Sequence, residues 1–513
     1  MRRLLIAAPV VWVAFTQAQM LPDNYHHFQG EDAYRIRYTY QSLTSVRSGV
    51  YNVRQRDSVI RSETSRWQSK PKTSWLGRKI KKEHLVNIDS GKYFLGIDPV
   101  FDFSVGTDLA DDSLGKGLFQ NTRGVSLRGH LGQKLSFYSA VYENQSVFPA
   151  YLSEQIQKDL VVPGQGRVKP FKANGFDYSN VQGMVWFRPF QWWTLSAGHD
   201  RNFVGDGYRS MLLSDFAFPA MQFNSDMLLF NGKLRYWISY QALNTLERLP
   251  ATQSPEAQFS RRAGNFFALS YSPKKWIEIT LFEGNVHSRW DGKTIAPHET
   301  YYLPVIFAHT LASAISDLTS TSVPGVNLRA SLLPALAVYG QWVPGNQAIE
   351  KAAWQVGFRW HDVLKIKGWM LQTEYNRSRT DRYENKISEI NYAHYNGRLA
   401  HPYAYRLDEL ILRSRYTFRD FYFQTAIVSS QFQEKVLVPA GQTSGNVQVL
   451  AYMELKLLTQ FHGELGYIIN PKTNMTIALQ CVLRRETDGR GATPTDWLML
   501  SWRTQLRNLY YDF

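Results

Sequence analysis

The 513-residue sequence predicts an all-β fold, a transmembrane antiparallel β-barrel of about eighteen strands with short periplasmic turns and long extracellular loops. Three observations predict it. The chain opens with an export signal, it carries no later apolar run long enough to cross a bilayer as a helix, and it repeats a unit of two alternating strands joined by a tight turn.

Met1-Arg2-Arg3 supplies a positive start, Leu4 to Phe15 an apolar core, and Thr16-Gln17-Ala18 a small-residue cleavage site, so the mature chain is expected to start at Gln19. The apolar run is too short to span a membrane as a helix, and no cysteine follows the cleavage site, which argues against a lipoprotein anchor. The expected organisation is a signal peptide at 1–18, an N-terminal periplasmic or barrel-packed segment at 19–95, and an outer-membrane barrel at 96–513.

Within the barrel region, apolar and polar residues alternate with the period of two that a strand with one lipid face requires. Val125 to Gly129 is expected to pair with Leu135 to Tyr142, Val185 to Phe187 with Trp193 to Gly198, and Phe267 to Tyr271 with Trp276 to Glu283. Leu410 to Phe418 pairs with Phe421 to Val428, and Tyr467 to Ile469 with Thr476 to Leu483. Pro, Gly, Asn and Asp stand between these partners, where tight reversals favour them. Weaker turns sit at Asn231-Gly232, Leu333-Pro334 and His361 to Lys367. About eight tight turns, with one strand before the first and one after the last, give the expected count and place both barrel ends in the periplasm. Residues 446–469 are too long for one membrane strand and imply an extension or a bulge.

Two long loops carry helical apolar spacing, Tyr151 to Leu160 and a stretch from Val305 to Leu318, and either helix is expected to plug the lumen, cap its mouth or lie as a surface loop. The charged 19–95 segment contains the basic run Arg78-Lys79-Ile80-Lys81-Lys82, read as a solvated face. The chain ends Leu509-Tyr510-Tyr511-Asp512-Phe513, which resembles the terminal aromatic signature of barrel proteins, although the alternation slips between Arg507 and Leu509.

Aromatic residues make up 14% of the chain, consistent with interfacial girdles, and mean hydropathy is −0.34. The single cysteine, Cys481, rules out an intramolecular disulfide and a four-cysteine zinc site. The histidines lack metal-ligand spacing, and no P-loop or dinucleotide fingerprint is present, so neither metal nor cofactor is expected. A net charge of +15 in an exported protein points to acidic surface polysaccharide, lipopolysaccharide phosphates or an acidic protein partner more than to nucleic acid. The alternative is a generally basic, solvated surface.

The stretch Gly198 to Ser210 follows a strong strand and concentrates polar groups. His199, Asp200, Arg201, Asp206, Tyr208 and Arg209 form the candidate ligand site, since arginine forks grip carboxylates and tyrosine offers both a ring face and a hydroxyl. The alternative is a loop folded into the barrel and held by internal charge pairs. His199, Asp200 and Ser210 name the residue types of a hydrolase triad, but no Gly-x-Ser-x-Gly elbow accompanies them, so no catalytic residue is expected.

The run from Gly198 to Ser214 resembles a segment of the RemB outer-membrane proteins of Bacteroidetes, which are associated with gliding motility and related to the Wzi capsule-assembly proteins. The likeness extends loosely over residues 95–290, including Pro99 to Phe103 and Asn121 to Gly124, and a Gln19 start also suits that phylum. The resemblance implies a non-enzymatic barrel that holds surface polysaccharide or serves a surface motility or secretion machine. A porin-like channel and a structural translocon subunit are the alternatives. On this reading, neutralising Arg201 and Arg209 lowers glycan retention and leaves folding intact.

Overall fold

The computed structural model describes Val46–Arg47 and residues 74–513, save for 111–116, 249–258, 289–298, 316–319, 334, 347–350, 386, 388–389, 404–405, 444–445, 471–472 and 505–508. The expected signal peptide and most of the 19–95 segment lie outside the described residues.

Eighteen antiparallel strands close into a barrel. In chain order they are β1 (Tyr93–Asp108), β2 (Leu118–Leu131), β3 (Leu135–Val147), β4 (Gly175–Phe190), β5 (Trp193–Asp200), β6 (Ala220–Leu229), β7 (Leu234–Arg248), β8 (Phe259–Lys274) and β9 (Ile277–Ser288). The second half comprises β10 (Ser320–Leu333), β11 (Leu336–Val343), β12 (Ala353–His361), β13 (Trp369–Ser378), β14 (Leu407–Phe418), β15 (Phe421–Thr443), β16 (Asn446–Asn470), β17 (Met475–Asp488) and β18 (Gly491–Thr504). Closure is made where Trp497 to Arg503 of β18 pair with Asp108 to Asp102 of β1. Val86–Asp89 pairs beside them on the lower part of β1, completing that edge.

Every tight turn expected from the sequence joins the strands it was assigned to. At Asn231-Gly232 both residues take positive φ, 56° and 82°, which matches the twist of the flanking strands. A Cβ on Gly232 would meet nothing within 4 Å, so backbone conformation rather than space selects glycine there. The over-long 446–469 stretch resolves as an extension. β15 and β16 run 23 and 25 residues as one ribbon, with a register shift between Pro439 and Gly441.

Side chains alternate across this wall in the sense opposite to a soluble protein. On β17, Ile477, Leu479 and Leu483 are exposed on the outer face, whereas Ala478, Gln480, Val482 and Arg484 are buried inside. Leu465, Leu500 and Trp502 continue the apolar outer face, while Glu374, Asn376, Gln460 and Glu464 turn inward. Closure satisfies the strand hydrogen bonds, and only an apolar solvent rewards such an exterior. Phe190, Trp192 and Trp193 stack at one tight-turn corner, with neighbouring ring centroids 5.6 and 5.9 Å apart. Such an aromatic corner suits the membrane–water boundary.

Among the described residues, three α-helices flank or fill the barrel: α1 (Trp75–Lys81), α2 (Ala150–Asp159) and α3 (Ala308–Ile315). The basic run lies on and just after α1, which sits at the turn end, where Asn470 donates to the carbonyls of Lys79 and Glu83 at 3.1 Å. Helix α2 forms where its spacing predicted. It lies across the lumen, with Leu152 and Ile156 buried.

Helix α3 takes the surface alternative: it neither plugs the lumen nor caps the mouth but lies against the outside of the wall, held by outward-facing Glu283, Ser320 and Ser322. One expectation is corrected. The terminal aromatic segment does not extend the last strand. β18 ends at Thr504, and Leu509–Phe513 turn inward, because their rings and hydroxyls find partners there: Phe513 meets Phe216 at 5.4 Å, Tyr511 meets Phe148 at 5.8 Å, and the Tyr510 hydroxyl donates to Asp215 at 2.7 Å. The exposed outer aromatic near the end of β18 is Trp502, packed 4.7 Å from Phe101.

Candidate functional site

The loop after β5 folds into the lumen. Residues 200–217 are buried almost throughout, and Met211, Leu212 and Leu213 form an apolar core with Tyr383, Tyr392 and Leu399 of the loop between β13 and β14. Tyr383 and Tyr392 donate to the carbonyls of Met211 and Leu212 at 2.6 and 2.9 Å. Val46–Arg47, from the N-terminal segment, pairs with Phe203–Val204 of the same plug. Ser210 locks the turn, donating to the Val204 carbonyl and accepting from the amides of Leu212 and Leu213.

Of the six candidate ligand residues, five face the lumen and one does not. His199 points outward, its Nδ1 2.6 Å from the Val181 carbonyl and its ring edge-on to Phe218. Asp200 accepts the amide of Arg201, and Arg201 donates to the Asp215 carbonyl at 2.9 Å. Asp206 faces Arg329 at 3.6 Å and accepts from Asn327 at 3.1 Å. Glu374 of β13 accepts the backbone amides of Tyr208 and Arg209, at 2.7 and 3.1 Å. A Cβ on Gly207 would fall 2.7 Å from the Arg209 carbonyl oxygen as well as 2.5 Å from Glu374 Oε2, so glycine lets the loop pass this carboxylate.

Arg209 is the anchor. Its guanidinium is 1% exposed and lies 3.1 Å from the Asp512 carboxylate and 3.5 Å from Glu409, which in turn holds His401 at 2.6 Å. Burial disfavours the charge of Arg209, but Asp512 and Glu409 hold its pKa well above the ordinary arginine value. Burial and the Asp512 charge raise Tyr208 likewise, and its ring carries the guanidinium of Arg413 at 4.1 Å. The loop is therefore an internal plug, the alternative weighed from the sequence, and neutralising Arg209 is expected to cost stability where the sequence reading expected folding to stay intact. Its charges are drawn inward because the barrel wall supplies the opposite charges there.

The plug, α2 and Leu509–Phe513 separate two cavities. The one toward the turns, about 210 Å³, is lined by Arg359, Arg413, Arg415 and Arg503 together with Tyr208. The one toward the long loops, about 550 Å³, is a vestibule bounded by α2, the β15–β16 extension and the Ala393–Arg398 hairpin. Tyr151, whose hydroxyl donates to the Tyr511 carbonyl at 2.7 Å, is the lining residue they share.

The vestibule combines ring faces with paired charges. Phe218 lies 4.7 Å from Tyr395, and Tyr403 stacks on Phe432 at 3.9 Å. Lys456 bridges Glu434 and Glu486, both at 2.9 Å, and Arg398 faces Glu384 at 3.4 Å. His394 beneath them accepts the Asn244 amide at 3.0 Å, and burial pushes its pKa down to about 3, fixing it neutral. Five carboxylates line this cavity against four cations, so the vestibule is not the basic surface inferred from net charge. Exposed lysines stand instead on the tight turns, at Lys134, Lys233, Lys274, Lys275, Lys365 and Lys367. Of the vestibule residues, Lys456 lies in the over-long 446–469 stretch that the sequence flags; Glu434, Tyr395 and Arg398 carry no sequence signal.

With this geometry in hand, the fold has a known counterpart. The chain superposes on Wzi of Escherichia coli, an outer-membrane protein involved in group 1 capsule assembly and a carbohydrate-binding β-barrel, over 94% of this chain and 99% of that one, with a TM-score of 0.51 and 12% identity. This chain has the Wzi fold. Pseudomonas aeruginosa OccK7 (OpdD) matches over 80% of this chain and 99% of its own, with a TM-score of 0.43 and 11% identity. The OpdK–vanillate structure from the same organism matches over 80% and 98%, at 0.42 and 10%. No family model and no curated protein sequence matches the chain.

Proposed function

We propose that this protein is a non-enzymatic outer-membrane barrel that seats surface polysaccharide in its loop-end vestibule, with its lumen closed to passage. The observation that carries the reading is the septum: a buried plug and the Leu509–Phe513 segment stand between the two cavities, so the vestibule is a blind cup. Its chemistry suits saccharide, since ring faces take the C–H faces of a sugar while carboxylates and guanidinium groups exchange hydrogen bonds with hydroxyls. The near balance of charge favours a neutral or weakly charged glycan over the acidic polymer expected from net charge. The Wzi likeness, to a barrel that binds carbohydrate, supports the same class of ligand. A link to Bacteroidetes surface machinery rests on the Gly198–Ser214 resemblance alone.

The test is calorimetric titration of the purified full chain with neutral oligosaccharides cut from the host's surface polysaccharide, alongside a polyanionic glycan. Tyr395→Ala and Arg398→Gln are each expected to weaken the neutral ligand about tenfold, roughly 1.4 kcal/mol, without changing barrel melting. Unchanged binding in both variants, or binding confined to the polyanion, would sink the reading.

A further inference from the structure

The outer wall carries a polar strip where a membrane barrel should be apolar. Parity puts Asn265 of β8 and Glu283, Asn285 and His287 of β9 on the outward face, in line with Ile279 and Leu281. All four polar residues are nonetheless buried. What covers them is the segment Glu299–Ile315, which descends the wall from the long-loop end and returns as α3.

The contacts run from Tyr301 to Thr310. The hydroxyls of Tyr240 and Tyr236 donate to the carbonyls of Tyr302 and Pro304, at 3.3 and 2.8 Å, and Asn265 donates to that of Tyr301 at 3.0 Å. Glu283 caps the start of α3, accepting the amides of Phe307 and Thr310 at 2.5 and 2.8 Å, groups that a helix leaves without intrahelical partners. His309 packs on His287, with ring centroids 4.4 Å apart, and lies 2.7 Å from the Ser320 hydroxyl. The polar side of this strap is thus consumed by the wall.

Its other side is apolar and exposed among the described residues. Leu303, Val305, Leu311 and Ile315 are 48, 56, 63 and 87% exposed. Leu328, 50% exposed and paired with Ile279, carries an apolar outer face on β10 as well, so the strap continues the apolar band of the barrel instead of interrupting it.

We infer that Glu299–Ile315 is a membrane-embedded strap whose outer face packs against lipid acyl chains, converting a polar stretch of wall into a lipid-compatible one. The inference goes beyond the saccharide reading and rests only on the barrel's residence in a bilayer. In hydrocarbon, an uncovered Glu, two Asn and a His would be costly, and a strap that takes up their hydrogen bonds removes that cost.

The test is site-directed spin labelling of the full chain in phosphatidylcholine vesicles, in a Cys481→Ala background. Single cysteines at Leu303, Leu311 and Ile315 are compared with wall position Leu465 and loop position Lys172. Relaxation by apolar oxygen with loss of relaxation by a water-soluble nickel chelate, as at Leu465, is the expected result at the strap positions. Nickel access equal to that at Lys172, with Leu465 still protected, overturns the strap while leaving the barrel intact. Nickel access at Leu465 as well would overturn both, by removing the bilayer.

Discussion

Replacing Arg209 with methionine is expected to destabilise the protein by about 3–5 kcal/mol, among the largest costs of any single substitution outside the wall. The arginine is 1% exposed and holds Asp512 of the inward-turned segment and Glu409 of the wall, while its carbonyl accepts from Gln355 at 3.0 Å. Removing only the guanidinium leaves two carboxylates in a low-dielectric interior, and that uncompensated charge sets the magnitude. Urea titration of the full chain in detergent micelles reads it as a lower unfolding midpoint. Adding Glu409→Gln and Asp512→Asn is expected to recover part of the loss, because it removes the stranded charge without restoring the contact. Lys172→Met, on an exposed loop, serves as the control within about 0.5 kcal/mol of wild type. A loss under about 1 kcal/mol for the arginine variant would mean that the plug does not depend on this network.

The second large effect is expected at Glu283. Its carboxylate accepts two backbone amides and the Thr310 hydroxyl from the outer-wall strap. Alanine there leaves those donors without an acceptor, a cost of about 2–3 kcal/mol. Because the strap lies outside the closed sheet, most of that cost is expected to appear as strap release rather than barrel unfolding. Limited proteolysis of vesicle-embedded protein should therefore cut between Ile306 and Ile315 in the Glu283→Ala variant, leave wild type intact, and cut the Glu283→Gln variant more slowly. Equal resistance of all three would show that Glu283 does not hold the strap.

These two sites mark the boundary of what the sequence discloses. The wall is legible because each strand faces two uniform solvents. Alternation along Ile277, Ile279 and Leu281 states its register locally, and turn residues such as Asn231-Gly232 state where it reverses. The interior is not legible in that way. Arg209 meets partners at positions 374, 409 and 512, so its role is fixed by closure of the barrel and not by its neighbours in sequence. The same holds for the aromatic end of the chain, whose rings satisfy a strand-terminus pattern equally well as a lumen-filling one; packing against Phe148 and Phe216 decides. The strap left a trace that parity exposes. Carrying the face of Ile277, Ile279 and Leu281 two steps further reaches Glu283 and Asn285, polar residues on a lipid side, which calls for a cover.

Net charge misleads for a physical reason as well. It is a sum over surfaces that face different compartments, and here exposed lysines stand on the tight turns while the vestibule holds more carboxylates than cations. Any ligand must be matched to the cavity it enters, not to the whole chain.

The closed lumen is the claim on which the saccharide reading depends, and ion conductance across a planar bilayer measures it directly. Wild-type protein, inserted as shown by flotation with the vesicles, is expected to give no steady current steps, because the plug and the Leu509–Phe513 segment stand between the two cavities. Steady, voltage-independent steps of the size of an open porin would contradict the account.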